Sequence, residues 1–302
     1  MTVAKLPTPA ADDAVLAAIV SIASMPGVPA AIESARVACE QLRWHEAYRR
    51  RWREVRAESG VRAACAGAAI DGVRLPLRSV RALALGGGSG LGPGPDAAGA
   101  GADLLVLRGA LRAVAVVESW MPDLAAAGSF DPPPFGHLLS RLHAAAAAGW
   151  LPDDALGRIR TDATAQDLRG LGLAPTGRES AARIELLGRI VRDSRAPALV
   201  VAAVAHGELL TVRPFVAANG IVARAVFRVL VTTRGLDPTG SVVPEVAWAA
   251  APNAYLGAAA GFASGERDGV GAWVRACAAA VVAGAHEARD VADAVVAGRL
   301  TR

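Results

Sequence analysis

The apolar positions of this chain recur almost throughout at intervals of three and four residues, the period of one face of an α-helix. Val15, Leu16, Ile19 and Ile22 set that spacing in a first helix over 12–24, and Pro26 and Pro29 close it. A long helical pattern follows over 30–60. An alanine-rich piece over 61–69 then leads through Asp71-Gly72 to a turn at Leu75-Pro76, with a short helix ending near residue 85. Helical periodicity resumes over 103–120, 135–148, 153–160, 164–172, 180–191, 196–212, 221–234, 244–261 and 270–297, with a proline-rich loop over 122–134. Apart from a short ribbon near Thr176 or Thr239, no stretch alternates with the period of a strand, and no internal repeat is present. The pattern predicts an all-α protein.

Composition agrees with the pattern. Hydrophobic residues make up 53% of the chain but aromatics only 4%, because alanine, the strongest helix former, supplies much of the total. A length of 302 residues suits one helical core of about 200 residues and an appended N-terminal region. Three parts are expected: an N-terminal helical region over 1–85, a glycine-rich linker over 86–102, and the main domain over 103–302. In the linker, Gly92, Gly94 and Ala97 have the spacing of a dinucleotide loop. Pro93, Pro95 and the lack of a preceding strand argue against one.

The apolar runs 196–205 and 276–285 stop short of the roughly 20 residues that cross a bilayer, and Asp12 and Asp13 precede the first apolar stretch where a signal peptide would be basic. Cys39, Cys65 and Cys277 form no CxxC pair. A soluble, cytoplasmic protein without a membrane partner is expected.

The 32 basic residues against 28 acidic ones leave a net charge of +4, which does not by itself imply a nucleic-acid partner. The densest basic run, 43–56, interleaves Arg49, Arg50, Arg51, Arg53 and Arg56 with Trp44, Tyr48 and Trp52 every fourth residue. It is expected to be a core-facing aromatic stripe with a solvated basic flank; an interaction surface is the alternative.

The stretch richest in chemistry is Arg213-Pro214-Phe215-Val216-Ala217-Ala218-Asn219-Gly220-Ile221-Val222-Ala223-Arg224, in which one apolar helix runs into a tight loop and a second starts at once. Asn219 is a favoured helix cap and Gly220 permits close backbone approach, so the free amides of the second helix would face whatever the loop holds. Such a turn can hold phosphate.

This stretch resembles the signature of the Fic (Fido) family of protein AMP-transferases, H-P-F-x-(D/E)-G-N-G-R-x-x-R. Pro214, Phe215, Asn219, Gly220 and Arg224 match in register; Arg213 stands for the histidine, Ala217 for the acid, Ala218 for the first glycine and Ile221 for the first arginine. Leu138-Leu139 and Leu142-His143 form a weaker family-like helix, and the likeness runs over about 104–296. Upstream, 67–72 is similar to the family's inhibitory element, (S/T)-x-x-x-E-(G/N), with Asp71 for its glutamate, Gly72 following and Gly67 in place of the hydroxyl residue. The resemblance implies the all-α Fic helical core with an N-terminal helical extension, and an ion pair between Asp71 and Arg224.

It also implies transfer of AMP from ATP to a protein hydroxyl, a reaction that needs a base and Mg²⁺. Arg213 stays protonated and cannot be that base, and Ala217 offers hard Mg²⁺ no oxygen. His206, seven residues before Arg213, lies about 10 Å away along a helix and is expected to pack structurally. His286, Glu287 and Asp290 are expected to form a polar helix face. Phe215, Asn219, Gly220 and Arg224 could still bind a nucleotide such as ATP or another anion. Three functions stay open: a pseudoenzyme binding a nucleotide or a protein partner, an active AMP-transferase acting on a protein target by an altered mechanism, and an interaction scaffold using the basic stretch.

Overall fold

The computed structural model describes residues 9–86, 97–121, 123–124, 133–161 and 163–300. Among them are thirteen α-helices and no strand: α1 (Pro9–Ile22), α2 (Val28–Arg43), α3 (Ala47–Arg50), α4 (Trp52–Ile70), α5 (Leu77–Ala84), α6 (Ala97–Ser119), α7 (Phe135–Ala147), α8 (Gly177–Asp193), α9 (Ala198–Val212), α10 (Asn219–Thr233), α11 (Glu245–Ala250), α12 (Pro252–Ala263) and α13 (Arg267–Val296). The expected linker falls mostly outside the described residues, and its last part, 97–102, is already helical.

At the centre stand α9 and α10, consecutive helices packed on each other and apolar on nearly every side, the pattern of helices enclosed by others. Around them α4, α6 and α7 cover α10, while α8, α12 and α13 cover α9. One hydrophobic core runs from Ile19 and Val28 through Phe227 and Leu230 to Val291 and Val295, so the N-terminal helices share it. A smaller cluster of Ala68, Val73, Val80 and Leu107 ties α4 and α5 to α6. The helices approach closely because facing residues are small: a Cβ on Gly109 of α6 would collide with the Ala146 carbonyl of α7. Although α13 is long and apolar enough to cross a membrane by length and composition, half of its most apolar window is buried against neighbouring helices.

Several expected elements differ. The pattern over 30–60 is broken at 44–46, where His45 turns back to accept a hydrogen bond from the Ala47 amide (3.2 Å), and again at Arg51. Trp44 is therefore not part of a buried stripe; it is 71% exposed beneath the Arg43 guanidinium, while Tyr48 and Trp52 are buried. Much of the basic flank is paired, Arg51 with Glu54 and Arg53 with Asp123. The helix expected over 244–261 splits ahead of Pro252, which cannot supply the amide that would continue it. The stretches 153–160 and 164–172 are not α-helices. They hold two short 3₁₀ turns, Asp153–Ala155 and Arg169–Leu171, and otherwise irregular backbone with positive φ at Gly157, Leu168 and Gly172. No ribbon forms at Thr176 or Thr239.

Candidate functional site

The loop between α9 and α10 is held by its own side chains. Arg213 ends α9 in the left-handed region (φ 46°), and Ala218 enters α10 in the same region (φ 61°). Without glycine, each such residue carries strain of about 1 kcal/mol. Asn219 folds back across the loop: its Oδ1 accepts from the Phe215 amide and its Nδ2 donates to the Phe215 carbonyl, both at 2.9 Å. It closes the loop and does not cap α10.

A strap made of residues 160–161 and 163–176 lies over this loop and satisfies its backbone. The Gln166 amide donates to the Val216 carbonyl (2.7 Å) and the Arg160 amide to that of Pro214 (2.8 Å). From the loop side, the buried Arg213 guanidinium donates to the carbonyls of Leu168 (3.0 Å) and Gly172 (2.8 Å).

The strap also delivers a carboxylate to the start of α10. Asp167 Oδ2 accepts from the amides of Asn219 (2.7 Å) and Gly220 (3.4 Å), and Oδ1 accepts from Asn219 Nδ2 (2.7 Å). A helix N-terminus attracts negative charge and its amides lack partners within the helix, so Asp167 sits where an external anion would. Burial raises the Asp167 pKa and nearby Asp71 adds to the rise, against the lowering effect of the bonds from Asn219 and Gly220.

Beside it, Arg224 Nη2 donates to Asp71 Oδ2 (2.5 Å) and to the Gly67 carbonyl (3.2 Å), so the structure brings together the two residues that the sequence pairs. Gly220 makes the contact possible, since a Cβ there would stand 3.0 Å from Asp71 Oδ1 and 3.1 Å from Arg224 Nη1. Arg224 is almost wholly buried; burial by itself would lower its pKa, and Asp71, with Tyr255 and Glu245, more than offsets this, so it is charged.

Phe215 is fully buried and stacks on His143, ring centroids 3.9 Å apart and planes 3° apart. His143 Nδ1 accepts from the Gly157 amide (2.9 Å), which requires an unprotonated Nδ1, and burial pushes its pKa down to about 4. Stability that depends on neutral His143 is present at neutral pH and lost as pH falls from about 6.5 towards 4, because the unfolded chain then binds the proton more readily. A His143→Gln variant, whose amide oxygen can take the Gly157 bond, is expected to show a shallower fall across that window in urea titrations at stepped pH. An identical slope in both proteins would contradict this.

His206 is walled in by Phe227, Trp248, Tyr255 and Trp273, with Nε2 2.9 Å from the Tyr255 hydroxyl. Burial drives its pKa far down, and its place is between helices. Glu287 pairs with Arg62. Among the described residues no group of three or more His, Cys, Asp or Glu could hold a metal ion.

Taken together, the loop presents no free base. Arg213 is engaged by carbonyls, His143 is sealed beneath Phe215, and buried Ala217 has no side-chain oxygen for Mg²⁺. These residues do not fit a Mg²⁺-bound nucleotide. No motif or spacing in the sequence points to Asp167, to Arg160 or to the role of His143.

No protein-family model and no curated protein sequence matches the chain. Solved structures do resemble it. A Fic family protein from Desulfovibrio desulfuricans G20 superposes with a TM-score of 0.61 at 21% identity, over 95% of this chain and 76% of that one. Fic-1 (residues 134–508) from C. elegans does so with a TM-score of 0.63 at 19% identity, over 93% of this chain and 74% of that one. At these identities the likeness establishes the fold, and the chain has the all-α Fic fold.

Proposed function

Starting from a Fic fold whose signature loop is engaged by the chain's own side chains, we propose that this protein does not transfer AMP and works by binding a protein partner in the cytoplasm. One observation carries this reading: Asp167 occupies the amides of Asn219 and Gly220 while Arg213 is bound to the carbonyls of the strap. A nucleotide phosphate would have to displace a carboxylate with three donors, whereas a protein partner can use the outer surface without disturbing them. The three unpaired cysteines support the cytoplasmic placement.

A second reading, an AMP-transferase held shut, is favoured by the Asp71–Arg224 pair, which joins the residues that match the family's inhibitory glutamate and second arginine. The experiment that separates the two combines thermal unfolding in the presence of ATP, ADP, GTP or CTP with Mg²⁺ and incubation of a cell lysate and labelled ATP with the wild type and with Asp71→Ala, in which the pair is released. A ligand that binds the native state raises its stability by mass action. Unchanged unfolding at millimolar nucleotide and no label on any protein is the expected result. Label that appears, and disappears in Asn219→Ala, would overturn the proposal in favour of the second reading.

A further inference from the structure

Over 43–50, where α2 ends and α3 begins, the chain reads Arg-Trp-His-Glu-Ala-Tyr-Arg-Arg, three guanidinium groups against one carboxylate. The inner side of this turn is fixed to the core. Tyr48 and Trp52 are buried, His45 Nε2 lies 3.0 Å from Asp293 Oδ1, and Arg51 donates to the Val295 carbonyl at the end of α13. Its outer side carries Trp44, 71% exposed, with the Arg43 guanidinium carbon 5.6 Å from the centre of its ring. Val296, next in the chain to the carbonyl that Arg51 holds, is 43% exposed.

The turn itself is made by His45, whose Nδ1 accepts from the Ala47 amide, and the Trp44 indole packs into nothing behind it. An indole has more apolar surface to gain by burial than most side chains, and its ring N–H gives it a polar handle as well. Stacked with Arg43 on a turn held at three points, it is already ordered, which lowers the entropic cost of a contact made there. The charges around it are equally uncommitted. Neighbouring arginines have carboxylates of their own: Arg36 has Glu33 and Glu40, Arg51 has Glu54, and Arg53 has Asp123. Arg43, Arg49 and Arg50 are exposed and have no carboxylate at ion-pair distance among the described residues.

We propose that Trp44, with the guanidinium groups of Arg43, Arg49 and Arg50, is the docking surface for the protein partner, and that the partner presents an acidic segment with an apolar side chain among its carboxylates. The inference rests on the reading of this chain as a partner-binding protein and adds the surface and the chemistry of what it binds. Complementary charge selects the carboxylates, and the apolar side chain covers the indole. Tryptophan and arginine are the residues that most often carry the energy of protein interfaces. A second copy of the chain fits poorly, because a two-fold contact through this face would set each arginine against its own counterparts. Nucleic acid and anionic membranes are best met by a surface of one sign, whereas Glu46 lies among these arginines and exposed Glu54 and Asp293 flank them.

The test is titration of a fluorescein-labelled peptide, glutamate alternating with leucine and phenylalanine, with the full chain, followed by anisotropy. A control peptide carries lysine in place of each glutamate. Saturable binding of the acidic peptide alone is expected, weakened by added salt and at least about tenfold in Trp44→Ser and in the double variant Arg49→Glu, Arg50→Glu. These side chains lie outside the core, so the unfolding temperature should stay that of the wild type, which separates a lost contact from a lost fold. Equal binding of the two peptides, or unaltered binding by Trp44→Ser, overturns the proposal. So does tighter binding of a uridine oligonucleotide, or of vesicles of phosphatidylcholine and phosphatidylserine, that is lost in the same variants. Failure of the peptide with no AMP label on lysate proteins removes this surface and leaves the partner-binding reading intact. Label on lysate proteins with peptide binding preserved removes that reading and keeps the surface.

Discussion

Arg160→Ala is expected to lower stability by about 3 kcal/mol or more, the scale of a buried charged network that loses one member. The side chain is 4% exposed and all its nitrogens are engaged: Nε donates to the Arg213 carbonyl (2.7 Å), Nη1 to that of Ala163 (3.2 Å), and Nη2 to those of Pro175 (2.6 Å) and Val212 (3.0 Å). Val212 and Arg213 end α9, so their carbonyls belong to the set that a helix leaves unpaired, and a cation there also opposes the negative end of the helix dipole. Alanine would strand these acceptors away from water and detach the strap at both ends. Arg160→Lys should recover less than half of the loss, because one ammonium cannot reach four carbonyls spread around a planar guanidinium. Urea unfolding of both variants measures this. A midpoint for Arg160→Ala equal to that of the wild type would mean that the strap is held by something else.

Asp167→Ala is expected to act in two opposite directions. Stability should fall by about 2 kcal/mol, since the amides of Asn219 and Gly220 and the Asn219 side chain lose a charged acceptor at a helix N-terminus. Affinity for phosphate-bearing ligands should rise at least about tenfold, because the same donors stay in place and no longer have an internal competitor. Titration calorimetry with inorganic pyrophosphate and with ATP, in wild type and variant, reads both the gain and its dependence on the nucleoside. If the variant is less stable yet binds no better, the cradle holds Asp167 for structural reasons alone. The same logic bears on restoring the family signature with Arg213→His, Ala217→Asp, Ala218→Gly and Ile221→Arg. That fourfold variant should remain silent until Asp167 is also removed.

Much of the fold was legible because helical spacing in long apolar segments is decided locally. The boundaries of α9 and α10, set by Pro197 before one helix and the Asn219-Gly220 step into the other, lie within two residues of those read from the pattern. The Asp71–Arg224 contact was also within reach of the sequence, since both partners sit in recognisable short patterns. What the sequence concealed lies in 153–172. Leu156, Ile159, Leu168 and Leu171 have helical spacing, but the amides of Arg160 and Gln166 go to Pro214 and Val216, fifty or more residues away. Long-range bonds overrode local propensity, and with them went any sign that Asp167 would reach α10. Trp44 failed for a related reason. Its spacing from Tyr48 and Trp52 counts only along an unbroken helix, and His45 breaks it.

Because Arg213 grips the carbonyls of Leu168 and Gly172 while Asp167, from the same strap, grips the amides of Asn219 and Gly220, neither residue can be changed without consequence for the other. A lone exchange of Arg213 for histidine frees two carbonyls and leaves Asp167 anchored. A lone loss of Asp167 opens the cradle while the position of the base is still an arginine. Each single step away from the present arrangement thus gives up stability before it gains any chemistry. Two contacts across one strap couple the loop's backbone to its amide cradle, and on the proposed reading a route to AMP transfer runs only through coordinated changes.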